Sequence, residues 1–125
     1  FGNNIFDGIK TLKIIGNIKF LPDELFSECS SLVKIYIPSS VISIGNNAFE
    51  YCSSLIQIKF ENPSSVTSIG NYAFCECSLL AQIEIPSSVK SIGEYAFSYC
   101  SSLTQISIPS NSLQLKIIFF LTVQN

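Results

Sequence analysis

Residues 32–54 read LVKIYIPSSVISIGNNAFEYCSS, and closely similar segments begin at Leu55, Leu80 and Leu103. Each copy follows a phenylalanine, and four of these rings recur at intervals of 23, 25 and 23 residues. A period of this length is typical of stacked coils, in which one unit cannot bury its apolar side without its neighbours. The chain is therefore predicted to be a repeat solenoid. The recurring phenylalanines are Phe26, Phe49, Phe74 and Phe97.

Each unit predicts one clear strand. Residues 34–37 alternate apolar and polar side chains, so Ile35 and Ile37 are expected to point inward. Pro38 ends the strand because it has no N–H to donate. Gly45 is then expected to adopt a positive φ before a short helical turn through Phe49. Equivalent strands are predicted near residues 34–37, 57–60, 82–85 and 105–108.

The interior is predicted to hold a stack of the four phenylalanines and a column of thiols at one repeat position: Cys29, Cys52, Cys77 and Cys100. Disulfides are the alternative, since equivalent residues of neighbouring coils are close enough by Cα distance. The parallel Cβ directions of such residues disfavour them. Cys75 falls outside the column, and we expect it to be exposed and reactive.

The ends of the chain depart from the repeat. Phe6, Leu12 and Ile15 are matched to Phe26, Leu32 and Ile35, with only 20 residues between the two phenylalanines. Residues 61–62 are an insertion that predicts a small loop. We expect one domain over residues 1–125 with about five coils. Its parts are an atypical N-terminal coil over 5–25, regular repeats over 26–110 and an atypical C-terminal strand or cap over 111–125, whose edge could support association.

Composition disfavours several classes of function. The chain has a net charge of -2, and its seven lysines are scattered along the sequence, which disfavours nucleic acid as a partner. No segment reaches the ~20 apolar residues that cross a bilayer, so no membrane-spanning segment is predicted in this fragment. The absence of histidine removes the usual base for a serine or cysteine nucleophile and a common zinc ligand. We therefore predict no enzyme activity, no catalytic residue, no metal site and no cofactor.

The outward side of the predicted strands remains as a binding surface, because solenoids commonly bind ligands on the concave sheet. Tyr36, flanked by Lys34 and Lys59, is the best candidate for an anchor. The alternative is that these side chains only keep the surface soluble. Tyr51, Tyr72, Tyr95 and Tyr99 are expected to pack over coil edges. The predicted ligand-binding residues are Lys34, Tyr36, Gln57, Lys59, Gln82, Glu84, Gln105 and Ser107.

The unit I-P-S-S-V-x-S-I-G-x-x-A-F-x-x-C-S-S resembles the BspA-like leucine-rich repeats, the Treponema-type class of 23 residues. The resemblance covers residues 26–110 throughout and 5–25 loosely, but not 111–125. It implies a right-handed leucine-rich repeat coil with a parallel sheet on the concave face and short strands or helical turns on the convex side. Similar proteins are surface or secreted proteins of bacteria and parasitic protists.

The resemblance implies an adhesin-like, non-enzymatic protein at the cell surface or secreted, which binds host or matrix proteins through its concave sheet. The alternative is an intracellular protein-interaction scaffold, which the prediction of free thiols favours, so a cytoplasmic location stays open. A hydrolase is a third and weaker reading because the chain has no histidine base.

Overall fold

The computed structural model describes residues 3–108 and 116–117. A 3-10 helix at Asn3–Phe6 precedes short strands that alternate between two sides of the coil. The strands are β1 (Thr11–Lys13), β2 (Phe20–Leu21), β3 (Lys34–Ile37), β4 (Ser43–Ile44), β5 (Gln57–Phe60), β6 (Ser68–Ile69), β7 (Gln82–Glu84), β8 (Ser91–Ile92), β9 (Gln105–Ser107) and β10 (Lys116–Ile117).

Odd-numbered and even-numbered strands form separate parallel sheets. The even strands make one sheet of five in the order β10-β8-β6-β4-β2. The odd strands make a sheet β1-β3-β5 and a pair β7-β9. The chain is thus a parallel-strand solenoid, as the repeat predicts, and the solenoid makes about four turns. All four predicted strands are confirmed, although β7 and β9 end one residue early, at Glu84 and Ser107.

After β2, β4, β6 and β8 the chain makes a turn that we call the outer turn: residues 22–30, 45–53, 70–78 and 93–101. The prediction of a short helical turn here is wrong. Asn47 and Tyr51 have φ values of 59° and 62°, and the other outer turns repeat this pair of left-handed residues. The reason is hydrogen bonding between coils. Asn47 N–H donates to Asn71 O at 2.9 Å, Phe49 N–H to Ala73 O at 2.8 Å and Tyr51 N–H to Cys75 O at 2.9 Å.

The glycine that opens the outer turn is needed for close approach between coils. The prediction that Gly45 has a positive φ is wrong, since among the described glycines only Gly8 and Gly16 do. A Cβ on Gly45 would lie 2.6 Å from Asp23 N, and one on Gly70 would lie 2.6 Å from Gly45 C. No side chain fits in that space.

An Asx ladder runs beside these glycines. The Asn46 N–H donates to Asp23 Oδ1 at 2.8 Å, and the Asn71 N–H donates to Asn46 Oδ1 at 2.8 Å. The Glu94 N–H continues the series by donating to Asn71 Oδ1 at 2.9 Å. Each side chain thereby satisfies a backbone donor of the following coil, which fixes the stacking of successive outer turns.

A stack of phenylalanine rings runs through the core, which also contains the buried Leu, Ile, Val, Ala and Cys side chains of each coil. Phe49 lies 5.3 Å from Phe26 and 5.1 Å from Phe74, while Phe97 lies 5.5 Å from Phe74. Three of the rings are 0% exposed and Phe26 is 3% exposed. Phe6 closes the N-terminal end of the stack, tilted by 59° against Phe26. Such rings bury apolar area that a single coil would leave in water.

The N-terminal coil is in register with the next one. Leu12 lies opposite Ile35, so the predicted match of Leu12 to Leu32 is wrong. Ile15, which was matched to Ile35, is 76% exposed. Residues 9–31 instead align with the next repeat without a gap. Phe6 and Phe26 are closer in sequence because the first coil lacks residues before β1, where the 3-10 helix joins that strand.

The insertion at residues 61–62 interrupts the odd-strand sheet. Glu61 N–H donates to Ile37 O at 2.9 Å, and Glu61 Oε1 accepts a hydrogen bond from Ser39 N–H at 2.8 Å. The insertion is therefore tied to the preceding coil. Beyond it, β7 pairs with β9 and belongs to a different sheet from β5.

At the C-terminal end, β10 lies parallel to β8, with Lys116 opposite Ser91. These two residues of the predicted C-terminal strand extend the even-strand sheet. The remaining alternating residues of that strand, from Leu113 to Val123, lie outside the described residues. The edge of that strand, through which association is predicted, also lies outside the described residues.

Candidate binding face

The outward side chains of the odd strands form the candidate site, which we call the odd-strand face. Strand alternation places them there, because Ile35 and Ile58 of the same strands are buried. Lys34 is opposite Gln57 and Tyr36 is opposite Lys59. In the other pair of strands, Gln82 is opposite Gln105 and Glu84 is opposite Ser107.

The structure divides the predicted site into two groups of four. Lys34, Tyr36, Gln57 and Lys59 share the sheet β1-β3-β5, whereas the other four belong to β7-β9. The repeat places the eight residues in two columns, Lys34, Gln57, Gln82 and Gln105 in one and Tyr36, Lys59, Glu84 and Ser107 in the other, and both columns are interrupted where the insertion separates the sheets. The C-terminal group contains no lysine.

Two residues of this face escaped the sequence analysis. Thr11 lies opposite Lys34, and Lys13 lies opposite Tyr36, so both columns extend to β1. They were missed because the sequence alignment of the first coil with the second was out of register. Aligning residues 9–31 with the next repeat without a gap would have placed Lys13, Tyr36 and Lys59 at one repeat position.

Tyr36 is held between cationic neighbours. The Lys34 Nζ lies 5.7 Å from the centroid of the Tyr36 ring, within reach of a cation–π interaction. Both side chains are half-buried, whereas Lys13 and Lys59 on the flanking strands are exposed. The tyrosine therefore has a fixed neighbour and retains accessible surface for a ligand.

A cavity of about 500 Å³ lies at the carboxyl ends of these strands. Its wall includes Lys13, Tyr36, Lys59, Glu61 and Glu84, so it reaches from β1 across the interruption to β7. Glu61 Oε1 is bonded to the Ser39 amide. Within the described residues, none of the three lysines around Tyr36 makes an ion pair, and the carboxylate of Glu84 has none either.

Thiol chemistry is confined to the interior. Cys52, Cys77 and Cys100 are fully buried, and each Sγ donates a hydrogen bond of 3.0–3.1 Å to a phenylalanine carbonyl of the preceding coil. Burial raises the pKa of Cys52 and Cys100 to about 12. All five cysteines are free, including Cys29.

The prediction that Cys75 is exposed is wrong. It is only 6% exposed, and burial, reinforced by the nearby carboxylates of Glu50 and Glu76, raises its pKa to about 11. Its carbonyl accepts a hydrogen bond from Tyr51 N–H of the preceding coil, which therefore lies against it. The expected helix would have turned this residue outward, but the outer turn does not. Ser98, its equivalent in the next coil, is also buried.

The four tyrosines of the outer turns lie away from the odd-strand face. Tyr72 and Tyr95 stack on each other with centroids 5.3 Å apart. Tyr51 and Tyr99 are about half exposed, at 48% and 50%.

Among the described residues, no group of three or more His, Cys, Asp or Glu side chains could hold a metal ion. No helix in the described part is long and apolar enough to cross a membrane.

Comparison with known families identifies one match over almost the whole chain. The model of the BspA type leucine rich repeat region, in 6 copies, matches residues 1–124. The curated proteins that were searched contain no significant match to the chain.

Solved structures of bacterial repeat proteins resemble the chain. The T. pallidum leucine rich repeat protein is 32% identical with a TM-score of 0.78, over 87% of this chain and 51% of that one. The pneumococcal vaccine antigen PcpA is 29% identical with a TM-score of 0.66, over 85% of this chain and 30% of that one. A leucine rich cell surface protein of Faecalibacterium prausnitzii is 25% identical with a TM-score of 0.58, over 79% and 35%. The chain thus spans about half the length of the T. pallidum protein and about a third of the length of the other two proteins.

Proposed function

Because the chain belongs to the BspA-type leucine-rich repeat family, we propose that it is an adhesin-like, non-enzymatic module that binds a host or matrix protein through the odd-strand face. Leucine-rich repeats of this kind commonly serve as protein-interaction modules. The fold by itself does not select a ligand, so the proposal depends on the chemistry of the face.

The observation that carries the proposal is the setting of Tyr36. A half-buried tyrosine, with Lys34 beside its ring and exposed lysines on both neighbouring strands, borders a cavity of about 500 Å³. Tyrosine supplies a large contact area at a small cost in side-chain entropy, and it is enriched at the centres of protein interfaces. The inward side of the same strands is occupied by the core.

The size of the face supports weak binding by a single copy. Three odd strands on one side of the interruption and two on the other, about 4.8 Å apart within each group, give a floor of roughly 20 Å, which is smaller than a standard protein interface requires. Firm adhesion would then need a longer array of repeats or many copies on one surface. Linked copies raise the effective concentration of the second contact and so strengthen binding.

Two of the solved relatives support a surface location. One is a pneumococcal vaccine antigen and another is described as a cell surface protein. We therefore propose that this chain lies at the cell surface or in a secreted protein. An intracellular interaction scaffold is the second candidate, favoured by the five free thiols.

Surface plasmon resonance with the fragment displayed in many copies tests the proposal. Tyr36→Ala combined with Lys59→Glu should weaken binding to a matrix protein such as fibronectin by about thirtyfold or more, because each of the two residues should contribute about 1 kcal/mol or more and each 1.4 kcal/mol is a factor of about ten. Tyr95→Ser combined with Tyr99→Ser is the matched control on the outer turns and should change little. Circular dichroism checks that both variants fold.

The reverse pattern would place the site on the outer turns. If no matrix or cell-surface protein binds the displayed fragment, the scaffold becomes the better assignment. Binding that survives both pairs of substitutions would exclude the odd-strand face as the site.

A further inference from the structure

The charges of this protein are separated in space. Three of its seven lysines, Lys13, Lys34 and Lys59, surround Tyr36 on the odd-strand face, although they are scattered along the sequence. Six of its nine acidic residues lie instead in the outer turns: Asp23, Glu24, Glu28, Glu50, Glu76 and Glu94. A protein with a net charge of -2 thus presents one locally cationic surface.

The lysines of this surface have no paired carboxylate in the part of the chain that the structure describes. Glu61 borders the same cavity and keeps its negative charge, but its carboxylate accepts a hydrogen bond from the Ser39 amide and makes no ion pair with these lysines. Lys13 and Lys59 are separated by two strand spacings, about 10 Å between backbones, which is close enough for their like charges to repel at low salt. An anionic ligand would remove this repulsion.

We propose that the partner presents a short acidic segment, whose carboxylates meet Lys13, Lys34 and Lys59 while an apolar or aromatic side chain packs on Tyr36. This inference rests on the proposed function, since it specifies the chemistry of what the odd-strand face binds. Opposite charge across an interface also speeds association, which suits a weak contact that is repeated over many copies.

The border of the face determines the extent of the ligand. Glu84 lies across the interruption between the two groups of odd strands and lines the same cavity. Its carboxylate would repel an anionic chain that continued towards β7. The site therefore suits a segment with two or three carboxylates better than a long uniform polyanion such as nucleic acid, whose phosphates require a more extensive cationic surface.

Fluorescence anisotropy with a labelled twelve-residue peptide tests the inference. The peptide carries three Glu residues around one central Phe and has Ser at its other positions, and its partner peptide has Gln at every Glu. Wild-type protein should bind the Glu peptide at least tenfold more tightly than the Gln peptide at 50 mM salt, and the difference should shrink at 500 mM salt.

Charge reversals then locate the site. Lys13→Glu combined with Lys59→Glu should lower the affinity for the Glu peptide at least tenfold, and Glu84→Lys should raise it severalfold. Lys19→Glu combined with Lys90→Glu is the matched control. It makes the same change in net charge at exposed lysines outside the odd-strand face and should leave the affinity within about twofold of wild type.

Several outcomes would overturn the inference. One is equal loss in the matched control, which would mean that net charge alone drives binding. Another is equal competition by a twelve-nucleotide single-stranded DNA together with no effect of Tyr36→Ala, which would indicate a general polyanion site. Unchanged peptide affinity in the Lys13→Glu, Lys59→Glu variant would also exclude it.

The test separates this inference from the proposed function. If a matrix protein binds and is lost with Tyr36→Ala, but the Glu peptide neither binds nor competes, the acidic partner is excluded and the binding face stands. If the Glu peptide behaves as expected while no matrix or cell-surface protein binds, the acidic-ligand inference stands and the adhesin assignment fails.

Discussion

The interior and the odd-strand face are built by the same repeat, but they use it differently. Inside, Phe, Cys and Gly return at the same positions in successive coils. The Phe74 ring stacks on Phe49, the Cys77 Sγ donates to the backbone of the preceding coil, and Gly70 lies against the Gly45 backbone. On the face, the position of Tyr36 is occupied by Lys13, Lys59, Glu84 and Ser107 in the other coils.

The difference has a physical origin. An interior residue must fit the equivalent residue of the next coil, so a change in one coil disturbs the packing of two. A side chain on the face needs only to leave the strand intact. The interior therefore determines that the coils stack, and the face is free to carry the chemistry of binding.

The largest difference between the two regions should come from the phenylalanine stack. Phe74→Ala removes a ring that packs 5.1 Å from Phe49 and 5.5 Å from Phe97, and it should cost about 3–5 kcal/mol of unfolding free energy. Urea denaturation followed by circular dichroism measures the loss. A loss below about 1 kcal/mol would mean that the stack contributes no more to stability than the face does.

Burial of the thiols should produce an effect of similar size in a chemical measurement. At pH 9 an ordinary thiol is about half ionised, whereas one with a pKa of about 12, as in Cys52 and Cys100, is ionised to about 0.1%. Alkylation by iodoacetamide should therefore be slowed at least about 500-fold in the folded protein, as mass spectrometry would show. Cys75, with a pKa of about 11 and 6% exposure, should also react slowly.

The same raised pKa values give the sign of a pH effect. The unfolded chain releases thiol protons above pH 9, while the folded chain keeps them up to about pH 12. The stabilisation is thus complete below pH 9 and is lost as the pH rises towards 12. Rapid labelling of Cys52 or Cys100 under native conditions would show that the column of thiols is not buried. A disulfide within that column would show that the thiols are not free.

An intermediate effect is expected where the coils approach most closely. Gly70→Ala would place a Cβ 2.6 Å from Gly45 C and 2.7 Å from Asn46 N, both backbone atoms that cannot move independently. We expect a loss of about 1–3 kcal/mol from overpacking, measured by urea denaturation. Ser65→Ala, at an exposed position of the same coil, is the control and should stay within about 0.5 kcal/mol of wild type. A neutral Gly70→Ala would mean that the outer turns can separate at little cost.

The sequence predicted the parts of the fold that depend on repetition. The period located the odd strands, and the alternation of residues 34–37 placed Ile35 and Ile37 inside, where they are 0% and 1% exposed. The conformation of the outer turn could not be read this way. A segment such as 46–52 has helical spacing of apolar residues, but the N–H groups of Asn47, Phe49 and Tyr51 donate to the next coil, and no local sequence pattern indicates that partner.

The candidate site was only partly predictable, for two reasons. Outward positions of β3 and β5 follow from strand alternation, so Tyr36 and Lys59 could be named. Lys13 was missed because a shortened segment before β1 moved the alignment of the first coil. The sequence did not show that Lys59 and Glu84 lie in separate sheets. The position of an insertion predicts a loop, but it does not indicate which coil the loop is hydrogen-bonded to.

The smallest effect compares two consecutive residues of β5, one from each region. Ile58 is 7% exposed and faces the core, whereas Lys59 is exposed and makes no ion pair within the described residues. Ile58→Val should cost about 0.5–1.5 kcal/mol because it removes a buried methyl group. Lys59→Gln should change stability by no more than about 0.5 kcal/mol, with a slight gain at low salt because it relieves repulsion from Lys13. Urea denaturation at 20 mM and 500 mM salt would measure both. A loss above 1 kcal/mol for Lys59→Gln would show that this lysine supports the fold, and its place on the face would then no longer argue for a ligand.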